Sequence, residues 1–234
     1  MTSPLSSPAW AEPARFARPP VTLTRVNFSY NRVAGNSVER LAALSDGIFA
    51  VAMTLLVLDL RVPVIQAIHT ERDLVDALLA ASPHVLVYLM SFMTLGIFWV
   101  GQQTQLNHVA RSDRHLTWIH LAFLFAVTLM PVSTRFLTEF ATYRTALLAY
   151  WFNIVLLGAV LYGSWGYVTR AGLLKPDTPP DVAPAVCRRI VIAQSFYAFG
   201  GLLCIFSTYL SIAFIVVVQL NYAIAPRFTS RSPR

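Results

Sequence analysis

A chain of 234 residues in which 56% are hydrophobic and only 12% charged, with a mean hydropathy of +0.58, is too apolar for a water-soluble globule. It reads as an integral membrane protein. The formal charge of +7 does not point to nucleic acid, because the basic residues stand in short runs between apolar spans, with no basic-aromatic patch to track a phosphate backbone.

Residues 1–36 carry the stretch SPLSSPAWAEPARFARPPVTLTR. They lack periodicity and show no cleavable signal peptide, and a disordered cytoplasmic tail is expected there. Crossing the hydrocarbon takes about 20 apolar residues. The first such run covers 38–60, with Asn36 as expected N-cap, Glu39 three residues on, and Pro63 as its stop. The segment HTERDLVDALLAAS is charged on one face and short, and is expected to lie at the interface. The second span covers 83–105 and begins at Pro83. The third covers 113–136, with Pro131 expected to kink its far end, and the fourth covers 142–167.

The last apolar region, 190–225, is too long for one span and just enough for two, broken near 207–211. The expectation is therefore an all-α, polytopic protein with six transmembrane helices in one domain, 37–225, followed by a basic cytoplasmic tail, 226–234. The two cysteines, Cys187 and Cys204, are too few for a disulfide scaffold. Six spans put the N-terminal tail, loops two–three and four–five, and the C-terminal tail on one side. That side carries fourteen of the eighteen basic residues, leaving Arg61, Arg72, Arg135 and Arg144 on the other. Both termini are expected in the cytoplasm.

The first helix holds the most informative run, RLAALSDGIFAVAMTLLVLDL. At 100° per residue, Val51, Thr54, Leu55 and Leu58 share one face, which Gly47 extends. Arg40 and Asp46 stand about 240° apart and cannot pair on one helix, so each needs a partner on another helix or in water. An ionised group near a helix centre in a bilayer costs roughly 2.5–3.5 kcal/mol. Two readings are open. Either Arg40 snorkels to the headgroups with Ser45 and Asp46 at the interface, or the three form a built polar site.

The stretch Arg40-Leu-Ala-Ala-Leu44-Ser45-Asp46-Gly47 resembles the Arg-x-x-x-Phe-Ser-Asp-Gly signature of the transmembrane protein 175 family, the endosomal and lysosomal potassium channels and their prokaryotic relatives. YLMSFMTLGIFW and DRHLTWIHLAFLFAVTLMPVST are similar to its second and third helices. The sequence departs from the pattern in two places. Leu44 replaces the signature Phe, and Gln102, followed by Gln103, stands where many members have His, so a hydrogen-bonding but non-titrating group occupies that place.

The resemblance implies a potassium-selective, leak-type cation channel in the cell membrane, a homotetramer of six-span subunits with the first helix lining a central pore. It implies no carbonyl filter. Constriction falls at Val51, with apolar layers at Leu55 and Leu58 that gate by dewetting and Thr54 as a hydroxyl layer. The bland alternative for Thr54 is a hydroxyl bonded back to its own helix. Arg40 near the pore stripe would repel cations, so it is expected to pair with Asp46 of another subunit, with Ser45, Trp99 and Gln102 as hydrogen-bonding neighbours. Asp59 is either an interface charge beside Arg61 or an acidic ring at the outer mouth.

No cofactor is expected, and no metal beyond potassium ions in transit; lipid and further copies of the chain are the expected partners. Proton conduction through the same pore is one alternative. A secondary transporter is another, although no inverted repeat is visible. An enzyme is not expected: none of His69, His84, His108, His115 or His120 belongs to a His-Glu-x-x-His motif, and no Gly-x-Ser-x-Gly occurs.

Overall fold

The computed structural model describes residues 37–60 and 68–224. Six α-helices follow in chain order: α1 (Val38–Val57), α2 (Glu71–Asn107), α3 (Arg114–Glu139), α4 (Arg144–Arg170), α5 (Val182–Leu202) and α6 (Thr208–Ile224). Five are long and apolar enough to cross a membrane. α6, with 17 residues, is shorter. The protein is thus all-α and polytopic, as expected. The tails 1–36 and 226–234, with Asn36, Arg61 and Pro63, lie outside the described residues.

Local chemistry sets the helix ends. α1 is capped by Ser37, whose Oγ accepts from the Arg40 amide at 3.2 Å. α2 departs from expectation. The HTERDLVDALLAAS segment is not a separate interfacial helix but the first turns of α2, which runs unbroken through Pro83. It starts at a reciprocal capping box between Thr70 and Asp73. Pro83 frees the Leu79 carbonyl from its intrahelical partner, and the neighbouring Ser82 Oγ donates to that carbonyl at 2.7 Å. Pro131 likewise stays inside α3, which continues to Glu139.

α5 begins eight residues earlier than expected, at Val182. Pro184 falls in its first turn, where a missing N–H does no harm. The break before α6 is a short 3-10 turn, Leu203–Ile205. Ser211 Oγ donates to the Gly200 carbonyl at 2.5 Å across it. Gly200 fits because a Cβ there would lie 2.8 Å from Ile215 Cγ1.

α3 packs on α4 and α1, α1 on α2, α2 on α6, and α5 on α4 and α6. The core joins Phe49 and Leu56 of α1 to Met90, Phe123, Tyr150 and Ile215. A buried hydroxyl chain crosses it. Thr134 Oγ1 donates to Ser91 Oγ (2.8 Å), Ser91 Oγ to the Tyr150 hydroxyl (3.3 Å), and the latter lies 3.2 Å from Thr94 Oγ1. Gln219 Nε2 donates to Thr94 Oγ1 at 2.5 Å. Where no water competes, such bonds tie α2, α3, α4 and α6 together.

At one end of the bundle the α2–α3 and α4–α5 loops meet. Ala110 N donates to Leu173 O (2.8 Å) and Lys175 N to His108 O (2.9 Å). The Tyr167 hydroxyl donates to Asp113 Oδ2 at 2.6 Å, and the Asp113 carboxylate also caps α3. Gly172 terminates α4 with φ of +64°, a conformation that costs an L-residue about 1–2 kcal/mol. Gly172→Ala should lower the thermal stability of the purified protein by about 1 kcal/mol. Gly163→Ala, at an open position of the α4 interior, should not lower it. Thermal unfolding in detergent checks both.

Candidate functional site

α1 presents two different faces. Its inward face carries Leu41, Ser45, Phe49, Ala52 and Leu56, all buried, at the three- and four-residue spacing that a helix lays on one side. Ser45 is 0% exposed and sits in a polar cluster with Gln102 of α2 and His120 of α3, themselves 2% and 3% exposed. Ser45 Oγ donates to the Leu41 carbonyl at 2.9 Å. It accepts from Gln102 Nε2 at 2.7 Å and lies 2.7 Å from His120 Nε2. With the Ser45 proton on Leu41 O, His120 must present Nε2–H to the hydroxyl oxygen. His120 Nε2 is also 3.3 Å from Leu41 O. One small side chain therefore joins three helices.

Next to it, Asp46 faces the flank. Its Oδ1 accepts from Trp99 Nε1 at 2.8 Å and from Gln103 Nε2 at 2.7 Å. Trp99 and Gln103 are four apart on α2, so one face of that helix delivers both donors. Both bonds fall on a single carboxylate oxygen. Arg40 is exposed and makes no ion pair with Asp46 inside the chain, consistent with their separation around the helix.

A second face, about 110° around the helix, is the apolar stripe. Leu44, Val51, Leu55 and Leu58 are all exposed, Val51 by 57% and Leu58 by 74%. Thr54 lies on this face, with its Oγ1 donating to the Val51 carbonyl at 2.8 Å. The back-bonded alternative for Thr54 is thus the observed one, and what Thr54 offers outward is oxygen lone pairs rather than a free O–H. At the far end, Asp59 lines a cleft of about 190 Å³ with Leu58, His84, Arg135, Thr138 and Glu139. Its basic neighbour in that cleft is Arg135 of α3.

The structure brings Ser45 to Gln102 and Asp46 to Trp99. Two contributors went unread. Gln103, beside Gln102, turns to Asp46. His120, which belongs to no sequence motif, has its partner Ser45 75 positions away. Among the described residues no group of three or more His, Cys, Asp and Glu side chains is placed to hold a metal ion.

Comparison with known proteins identifies the family of the chain. Residues 40–131 match the sequence profile of the family described as Endosomal/lysosomal potassium channel TMEM175. A protein of Streptomyces collinus named as a potassium channel is 31% identical over 192 residues, covering 80% of this chain and 92% of that protein. The chain belongs to the TMEM175 family. A Chamaesiphon minutus protein, also named as a potassium channel, is 29% identical over 189 residues, covering 79% of this chain and 93% of that one. The human endosomal/lysosomal proton channel TMEM175 is 33% identical over 120 residues, which is 49% of this chain but 24% of the human protein.

The crystal structure of a lysosomal potassium-selective channel TMEM175 homolog from Chamaesiphon minutus superposes with a TM-score of 0.68 at 27% identity, covering 80% of this chain and 97% of that one. In this TMEM175 relative, Ser45→Ala should strand the buried Gln102 and His120 donors. Leaving a buried polar group unpaired costs about 1–3 kcal/mol. Thermal unfolding should drop by that amount, while the smaller loss in Trp99→Phe removes one bond to an exposed carboxylate.

Proposed function

We propose that this protein is a potassium-selective cation channel of a prokaryotic cell membrane, in which α1 from each of four copies lines a central pore. The observation that carries this reading is the division of α1 between a polar-anchored inner face and an exposed stripe of Val51, Leu55 and Leu58. In a family of channels, that stripe is the surface left for the ion path. Rings of these side chains narrow the path and gate it by dewetting, with Thr54 oxygens between them as partial replacements for hydration.

Arg40 lies near the same stripe, where four guanidinium groups would repel cations. In the assembly it turns to Asp46 of a neighbouring subunit. Asp46 has both intrachain bonds on Oδ1, which leaves Oδ2 facing a donor from outside. Asp59, in its cleft beside Arg135, is an interface charge rather than a selectivity element. Basic residues concentrate on the side where the α2–α3 and α4–α5 loops meet, which puts that side and both termini in the cytoplasm. The human relative is named as a proton channel, so proton passage through the same pore is the second reading.

Flux from liposomes holding the purified protein, measured for potassium, sodium and protons, tests it. Potassium flux should exceed sodium flux, and Val51→Ala should raise both by widening the narrow ring. Absence of cation flux under any gradient would overturn the channel reading. Proton flux alone would select the second. Asp46→Ala should dissociate the tetramer in size-exclusion chromatography with light scattering. A stable tetramer with normal flux would contradict the proposed Arg40–Asp46 contact between subunits.

A further inference from the structure

On the side of the subunit away from α1, helices α2, α4, α5 and α6 enclose a cleft of about 210 Å³. Its walls are mostly apolar, from residues such as Ile97, Leu161 and Ile190, with Arg189 and Tyr222 also lining it. No acidic side chain lines it. Arg189 lies two turns into α5, at the end of the bundle where the basic loops meet, so the cleft opens near the membrane–water boundary.

Arg189 is exposed at the mouth, while the buried Tyr197 hydroxyl lies against the Gln219 side chain of α6. An apolar slot between membrane helices, with a cation at its mouth and no acidic side chain among the described lining residues, matches one chemistry, an acyl chain joined to an anionic headgroup.

We propose that this cleft is a binding site for an anionic phospholipid. The acyl chain fills the slot and Arg189 holds the phosphate. Basic pockets between membrane helices recognise anionic headgroups through the same electrostatics. The site is separate from α1 and does not depend on conduction.

The test is thermal unfolding of the purified full-length protein in detergent, titrated with phosphatidylglycerol or phosphatidylcholine of identical chains. A ligand that binds the folded state alone raises the unfolding temperature. Phosphatidylglycerol should raise it more than phosphatidylcholine. Arg189→Gln should lose that excess, whereas Arg188→Gln, outside the cleft lining, should keep it. Ala193→Phe, which adds bulk inside the slot, should lose the response to both lipids. Equal shifts with the two lipids would give the slot to any acyl chain and overturn the proposal. So would a phosphatidylglycerol excess that Arg188→Gln removes as fully as Arg189→Gln. No response to either lipid would equally overturn it.

Discussion

The structure depends on a constraint that hydrocarbon imposes and water does not: every polar group must find its partner inside the protein. At the foot of α1 that constraint falls on Ser45 and Asp46. Ser45 donates to its own helix and meets Gln102 and His120 on the others, and Asp46 receives Trp99 and Gln103. Those four donors come from two different helices. A rotation of α1 about its axis by a fraction of a turn would break all of these bonds. The polar foot therefore sets the azimuth of the whole helix, and that azimuth decides which side chains are left facing outward.

The consequence is felt four turns away. With Leu41, Ser45, Phe49, Ala52 and Leu56 committed inward, Val51, Leu55 and Leu58 are left exposed on the subunit. In a soluble protein an exposed apolar row would invite aggregation. In a membrane it can face lipid, another copy, or a narrow path that it keeps dry. The foot supplies what a purely lipid-facing helix would not need, a fixed orientation. Deeper in the bundle, the hydroxyl chain from Thr134 through Tyr150 to Gln219 plays the corresponding part for α2, α3, α4 and α6. Together the two networks hold the scaffold against which α1 is set.

Much of this was legible in the chain. The 3.6-residue period of α1 separated its faces, and the misfit of Arg40 and Asp46 on one helix signalled partners elsewhere. Six helices followed from the apolar runs. What was not legible has physical reasons. The first turns of α2 have the composition of an interfacial helix, and Pro83 looks like a start. Nothing in local pattern announces that Ser82 will take the carbonyl that proline releases. The start of α5 was missed because its first turn carries Pro184 and its second carries the charged Arg188 and Arg189. His120 was missed because its partner is set by the packing of α3 on α1, which periodicity does not encode. Thr54 was ambiguous for the opposite reason: both of its readings are local, and only coordinates separate a hydroxyl turned to Val51 O from one turned outward.

The central claim is that one stripe of α1, and not its exposed surface in general, borders the ion path. Val51 and Val57 separate the two, because both are exposed, by 57% and 47%, yet stand about 120° apart around the helix. The decisive measurement is potassium flux from liposomes before and after a small cationic thiol reagent, with Val51→Cys or Val57→Cys in a background lacking Cys187 and Cys204. Block at Val51→Cys with Val57→Cys unaffected is the expected result. Block at Val57→Cys alone, or at neither position in a conducting protein, would contradict the assignment of this face to the pore.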